Sequence, residues 1–245
     1  MSKQVSDQSE VDQSTGNGEC GAMTVHAAGV IPVVIWGASG HALVVAEMIS
    51  GCGRYEIAGF VDGVDPARRG EPFCESTVLG GEEGLHEMMS RGVHHVALGF
   101  GHCSGRLVVA RRARAMGFGL LTLVHPSAVV SPTAVLGEGT VVMAGAIIEA
   151  ACRIGEACII NSGAVVCHES TVGDGTHICP GVCVGGRTRI GAKSWIGIGS
   201  TLRDKLKIGD ATLVGAGSVV VRDLPEQVIA YGNPARVRGA ADCEF

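Results

Sequence analysis

The sequence predicts a small Rossmann-like parallel α/β domain followed by an all-β part, a parallel β-helix of hexapeptide repeats. Three observations carry this prediction. From Val124 to Val220 every sixth residue is Val, Ile or Leu, without exception. The pairs Leu136-Gly137, Ile154-Gly155, Val172-Gly173, Ile190-Gly191 and Ile208-Gly209 recur at three times that spacing. Upstream, short apolar runs alternate with helix-length stretches, the pattern of strand–helix units in a parallel sheet.

Residues 1–29 are rich in Ser, Gln, Asp and Gly and lack periodicity, which predicts a disordered tail. The α/β domain is expected over 30–121. Its first strand, Val30–Trp36, ends in Gly37-Ala38-Ser39-Gly40-His41, and a helix follows over Ala42–Ser50. A second strand, Ile57–Val61, ends at Asp62. The pattern then gives a helix over Glu82–Arg91, a strand over Val93–Leu98, a helix over Arg106–Met116 and a fourth strand over Leu120–Val124. The repeat occupies 122–238, and 239–245 is a short tail.

A period of six fits neither a helix nor a flat strand. It fits a chain that turns a corner every six residues and sends one aliphatic inward on each side. Three sides per coil make a triangular prism whose coils stack at the strand spacing of about 4.8 Å. Four residues after each aliphatic stands a mostly small one, such as Thr140, Ala146, Cys152 or Cys158, which lets a tight corner close. Leu224–Arg238, with Gly232-Asn233-Pro234-Ala235, is expected to end the prism and cap its edge.

Composition narrows the function classes. The net charge of −5 gives no electrostatic footprint for nucleic acid. No apolar run is long enough for a membrane span, and no signal peptide is evident, so a cytoplasmic protein is expected. The ten cysteines contain no Cys-x-x-Cys pair. Cys167, Cys179 and Cys183 crowd near His168 and His177, but at spacings that match no familiar zinc pattern, so no metal is expected.

Two constellations can carry chemistry. Gly37-x-x-Gly40-His41 opens a helix, where backbone N–H groups can point at a phosphate. Asp62 ends the second strand, where an acid can meet a ribose or base. Together they favour a nucleotide-bearing ligand. The second constellation is Asn161, His168, Glu169 and His177. Asn161 and His177 flank the inward Ile160 and Ile178, so both should point out of the prism. His168 lies near a corner, and a neutral imidazole suits a general base near pH 7. Glu169 can orient it if the corner bends. Cys167 beside His168 offers an acyl-cysteine route as a rival. A three-histidine metal site is a poorer fit, since His125, His168 and His177 do not stack at whole-coil separations. A prism of this kind can also serve as a non-catalytic assembly or binding domain.

These motifs make the chain resemble the bacterial sugar acyltransferases that acetylate nucleotide-linked amino sugars. That group includes the bacillosamine-pathway and GDP-perosamine N-acetyltransferases, and the sialic acid O-acetyltransferase branch is similar. The resemblance covers roughly 31–238. It rests on Gly37–His41, Phe60-Val61-Asp62, His125-Pro126-Ser127-Ala128, Ile160-Asn161, His168-Glu169, His177 and Gly232–Ala235. It implies a left-handed coil and acetyl-CoA as co-substrate. It implies His168 as base, Glu169 raising its basicity, and Asn161 arranging the site. His177, Gly186, Ile198 and Ala216 would line the acetyl-CoA groove. Ser39, Gly40, His41, Asp62 and Gly99 would hold a nucleotide-linked amino sugar. O-acetyl transfer is the alternative activity. Two positions depart from the family pattern: Gly63, where a second acid often follows the aspartate, and Gly99-Phe100-Gly101.

His168 and His177 are half a coil apart and should lie on different sides of one prism. If both serve one acetyl-CoA, the site must lie between prisms. This predicts a homotrimer, with His168 from one chain and His177 from the next.

Overall fold

The computed structural model describes residues 29–241. Most of the expected N-terminal tail and residues 242–245 lie outside them. Strand β1 (Ile31–Trp36) leads into helix α1 (Gly40–Gly51), then β2 (Tyr55–Val61). A 3₁₀ turn at Pro66–Arg68 and a hairpin of β3 (Pro72–Phe73) and β4 (Ser76–Thr77) follow, neither of which the periodicity showed. Helix α2 (Glu82–Ser90), β5 (His95–Leu98), α3 (Cys103–Ala115) and β6 (Gly119–Leu120) complete the unit. The four-stranded sheet has the order β2-β1-β5-β6, all parallel.

Two expectations needed correction here. Helix α3 begins three residues before Arg106, because the His102 ring caps it by accepting the Gly105 N–H at Nδ1, 2.9 Å away. The strand expected over Leu120–Val124 is two strands. Gly119–Leu120 pairs with β5, whereas β7 (Leu123–Val124) pairs with Val141–Val142 of the next coil. Leu121 and Thr122 carry the chain from one sheet to the other.

From β7 to β23 (Val219–Val220), two-residue strands alternate with corners and form three parallel faces. The first face contains Leu123–Val124, Val141–Val142, Ile159–Ile160, His177–Ile178, Trp195–Ile196 and Leu213–Val214. The second runs from Val129–Val130 to Val219–Val220, and the third from Val135–Leu136 to Lys207–Ile208. From Val142 to Val220 every sixth aliphatic is buried in one core cluster. The corner slot does more than stay small. Thr140 Oγ1 donates to the Gly155 carbonyl at 2.7 Å and accepts the Cys158 N–H at 3.0 Å. Thr176 and Ser194 repeat this two and three coils on, so buried hydroxyls satisfy corner amides that the ladder leaves open.

β24 (Val228–Gly232) extends the first face, and β25 (Ala235–Ala240) pairs with it antiparallel. β25 runs two residues past Arg238, where the tail was expected to begin. Leu224, Ala230 and Ala235 close the end of the core column.

The α/β unit docks on the outer side of the first face. Leu123, Val141 and Ile159 point away from the prism core, yet all three are buried. They share one cluster with Val45, Ala46 and Ile49 of α1. Burying each such side chain contributes about 1.5–3 kcal/mol, which fixes the two parts against each other.

Candidate active site

A cavity of about 780 Å³ opens beyond the carboxyl ends of β1, β2 and β5. Trp36, Gly37 and Ser39 line it from β1 and the start of α1, Asp62 and Arg68 from the region after β2, and Phe100, Gly101 and His102 from the turn before α3. The glycines are there for contact. A Cβ on Gly37 would lie 2.5 Å from the Gly99 carbonyl oxygen, so the turns after β1 and β5 touch backbone to backbone. The N-termini of α1, α2 and α3 all line this space; Glu83 already accepts the Gly81 N–H at the start of α2, which leaves those of α1 and α3 for an anion. Ser39 caps α1 without a side-chain hydrogen bond.

Asp62 accepts the N–H groups of Val64 and Asp65, both at 3.0 Å, and pairs with Arg68 Nη1 at 2.8 Å. Burial pushes its carboxyl up, but the two N–H groups and Arg68 outweigh this and hold it below the usual range. Gly63 lies against Trp36. A Cβ there would stand 3.1 Å from the Trp36 indole nitrogen, so the indole takes the room.

His168 stands at the corner between the second and third faces, with its side chain half exposed. Its N–H donates to Glu149 Oε2 at 2.8 Å, and its Nδ1 lies 3.6 Å from Glu169 Oε2. Glu169 adopts φ +58°, and that left-handed bend brings its carboxylate alongside the ring. The same carboxylate pairs with Arg187 Nε, which holds it below its ordinary range. Gly186, one coil above His168, leaves the space that the imidazole fills. The neighbouring Cys167 thiol is pushed up by burial and then by Glu149, which disfavours the thiolate that an acyl-cysteine route needs.

His177 points out of the prism, as alternation predicted, but not into the open. It is 6% exposed, beneath the α/β domain. Its ring packs edge-on against Trp195 with centroids 4.4 Å apart. Asn161 Oδ1 accepts the Ser162 N–H, which turns Nδ2 toward His177 Nε2 at 2.9 Å. That contact places the His177 proton on Nδ1, beside Gly101. His41 turns inward to the same junction. Burial, then Arg106 and His177, push its pKa down to about 3; burial and Arg106 push His177 down to about 4.

Comparison with known proteins identifies the family. A description of the PglD N-terminal domain matches residues 32–113. The structure of PerB from Caulobacter crescentus, in complex with CoA and GDP-perosamine, superimposes with a TM-score of 0.81. It is 41% identical over 87% of this chain and 99% of that one. The chain belongs to the bacterial nucleotide-amino-sugar N-acetyltransferase family. A second family member, the acetyltransferase domain of PglB from Neisseria gonorrhoeae, is 35% identical over 84% of this chain and 99% of that one, with a TM-score of 0.79. A curated relative, the dTDP-3-amino-3,6-dideoxy-α-D-galactopyranose 3-N-acetyltransferase of Aneurinibacillus thermoaerophilus, is 67% identical over 27 residues. That match spans 14% of the relative's length.

Within the family frame, the residues expected at the site fall into separate places. Ser39 and Asp62 line the cavity, and Gly40 starts the helix beside it. Gly99 and His41 lie behind the lining: Gly99 packs under Gly37, and His41 faces the prism. Gly186 touches His168, whereas Ile198 and Ala216 stack at the corner between the first and second faces. Ile198 is 60% exposed. The direct contact expected between His177 and acetyl-CoA meets a sealed imidazole, because docking of the α/β unit covers that face. Sequence reasoning missed Arg68, Trp36, Glu149 and Arg106. Trp36, Glu149 and Arg106 act on residues distant in the chain, and Arg68 meets the nearby Asp62 from a 3₁₀ turn that no periodicity marks. Among the described residues, no three His, Cys, Asp or Glu side chains converge on a metal position, and no helix is long and apolar enough to cross a membrane.

Proposed function

We propose that the protein transfers the acetyl group of acetyl-CoA to the amino group of a nucleotide-linked amino sugar, with His168 as general base. The observation that carries this reading is His168 itself, a half-exposed imidazole at a prism corner, backed by Glu169 and given room by Gly186. The cavity between Trp36, Asp62 and His102 supplies an acceptor site, with two helix N-termini for a diphosphate. PerB, a relative of the same build, was solved with CoA and GDP-perosamine, which supports the pairing of donor and acceptor.

The chemistry follows from these parts. His168 takes a proton from the sugar amine as the nitrogen attacks the thioester carbonyl. Glu169 stabilises the imidazolium that forms, and Asn161 acts further back by fixing His177. A backbone N–H or polar group stabilises the tetrahedral oxyanion. Collapse of that intermediate breaks the C–S bond and expels the CoA thiolate, which takes up a proton. No covalent enzyme intermediate is needed.

Acetyl-CoA is assigned to the prism surface, along Gly186, Ile198 and Ala216. Gly186 and the other two occupy different corners, so a shared groove is best made by neighbouring prisms of a homotrimer. The second face supports this. Its outward column includes Val129, 62% exposed, Ile147, 37% exposed, and Val165, whereas the third face presents Arg153, Arg189 and Lys207. An apolar flank beside His168 suits cyclic packing.

The test is His168→Ala, assayed with acetyl-CoA and a panel of UDP-, GDP- and dTDP-linked amino sugars. A general base contributes roughly 10²–10⁴-fold, and the variant is expected to lose that much kcat while remaining folded. Near-normal turnover at pH 7 would sink the assignment.

A further inference from the structure

Arg106 is the largest fully buried side chain among the described residues. Its guanidinium meets no carboxylate. Instead it donates to five carbonyls: Nε to Ala157 at 2.7 Å, Nη1 to Leu98 at 3.0 Å and Phe100 at 2.8 Å, and Nη2 to Gly139 at 3.1 Å and Cys158 at 3.5 Å. Leu98 ends β5, and Phe100 belongs to the turn that lines the cavity. Gly139, Ala157 and Cys158 belong to two successive corners of the prism. One planar fork thus ties the cavity wall to the coils.

A fork of five N–H groups in a fixed plane suits this task and a lysine does not. Burying an unpaired cation is costly, and an ordinary docking contact between two apolar surfaces does not need one. The apolar cluster of Leu123, Val141 and Ile159 with α1 already holds the two parts together. That cluster does not include the turn Phe100-Gly101-His102; a second one packs Phe100 with Ala157 of the prism, but apolar contact supplies no donor to the turn. Arg106 reaches it through the Phe100 carbonyl, and its backbone N–H also binds the His102 carbonyl at 3.0 Å.

We propose that Arg106 is a positioning residue that sets the acceptor-pocket turn Phe100-Gly101-His102 in register with the prism. The proposal rests on the reading that this cavity holds the nucleotide part of the acceptor. In that arrangement the diphosphate meets the turn and the α3 N-terminus, and a small shift of the turn moves the ligand with it.

The experiment measures Kd by calorimetry for GDP, UDP and CoA with the full chain, in wild type, Arg106→Lys and Arg106→Gln. Arg114→Ala is the control, since Arg114 also ties α3 to the prism, through Glu138 and Glu156, without touching the turn. The expected result is a loss of at least tenfold for the preferred diphosphate in a folded Arg106 variant, with CoA unchanged within twofold and Arg114→Ala like wild type. Folded Arg106 variants that bind the diphosphate as wild type does would overturn the proposal. So would equal losses in Arg114→Ala, or unfolding of both Arg106 variants, either of which assigns the residue to stability alone. Wild-type protein that binds neither diphosphate would instead remove the acceptor-site reading on which the proposal stands.

Discussion

Gly186 is the surface against which the His168 ring lies. A Cβ added to Gly186 would come within 2.7 Å of His168 Nε2, a separation that real side chains do not tolerate. Gly186 precedes Arg187, whose N–H binds the His168 carbonyl at 2.8 Å, so the two successive corners are locked in register. The imidazole, rather than the backbone, must yield to any substituent.

Gly186→Ala is therefore expected to turn the His168 ring off its site without unfolding the prism. Loss of kcat by at least tenfold, with a melting temperature within a few degrees of wild type, is the expected pair of results. Unchanged kcat in steady-state assays would show that the ring position does not matter.

Asp62 belongs to the acceptor side of the molecule. Its removal also takes one partner from Arg68, which bonds Asp62, Glu71 and the Ala38 carbonyl in the turn after β1. Asp62→Ala should weaken the nucleotide sugar by tenfold or more and leave the KM for acetyl-CoA within about twofold. Equal losses for both substrates would refute this division of labour.

Assembly is tested on the second face. A charge at Val165 meets a neighbouring prism in the proposed trimer and meets only water in a monomer. Val165→Glu is expected to sediment as a monomer and to lose most transfer activity. A fully active monomer, of either the variant or the wild type, would contradict a site shared between chains.

Acid should loosen the junction between the two parts. The folded-state pKa values of His41 and His177 lie at about 3 and about 4, below the unfolded value of 6.5. Below pH 6.5 the unfolded chain takes up protons that the folded chain refuses. Their neutral forms thus favour folding fully above pH 6.5, and this contribution is lost as pH falls toward about 4 and then 3. Denaturant melts from pH 7.5 to 4.5 should show stability falling with acid, with a shallower slope in His41→Gln/His177→Gln. Parallel slopes would place the acid sensitivity elsewhere. Asp62 does not confuse this window, because its depressed carboxyl titrates below it.

The prism was legible because its rule is local. Each inward aliphatic recurs at a fixed spacing, and each coil needs only its neighbours, so Ile160 or Val184 could be assigned to the core from the sequence. The outward direction of His177 followed from the same alternation. Its burial did not, since alternation gives direction and says nothing about what lies outside. The α/β elements were found to within a few residues. Their errors lay at α3, where a histidine does the capping, and at Leu120–Val124, where one apolar run serves two sheets.

By itself the sequence determined the fold class, the corner that bears His168 and the strand-end position of Asp62. These depend on period, chirality and contacts between residues a few positions or one coil apart. Only the tertiary structure decided that the α/β unit covers the first face, sealing His177 and His41, and that Trp36 occupies the space beside Gly63. It alone brought Arg106 to carbonyls as far away as Cys158. Such placements come from packing two separately formed units, where shape and buried hydrogen bonds select partners that no spacing along the chain encodes.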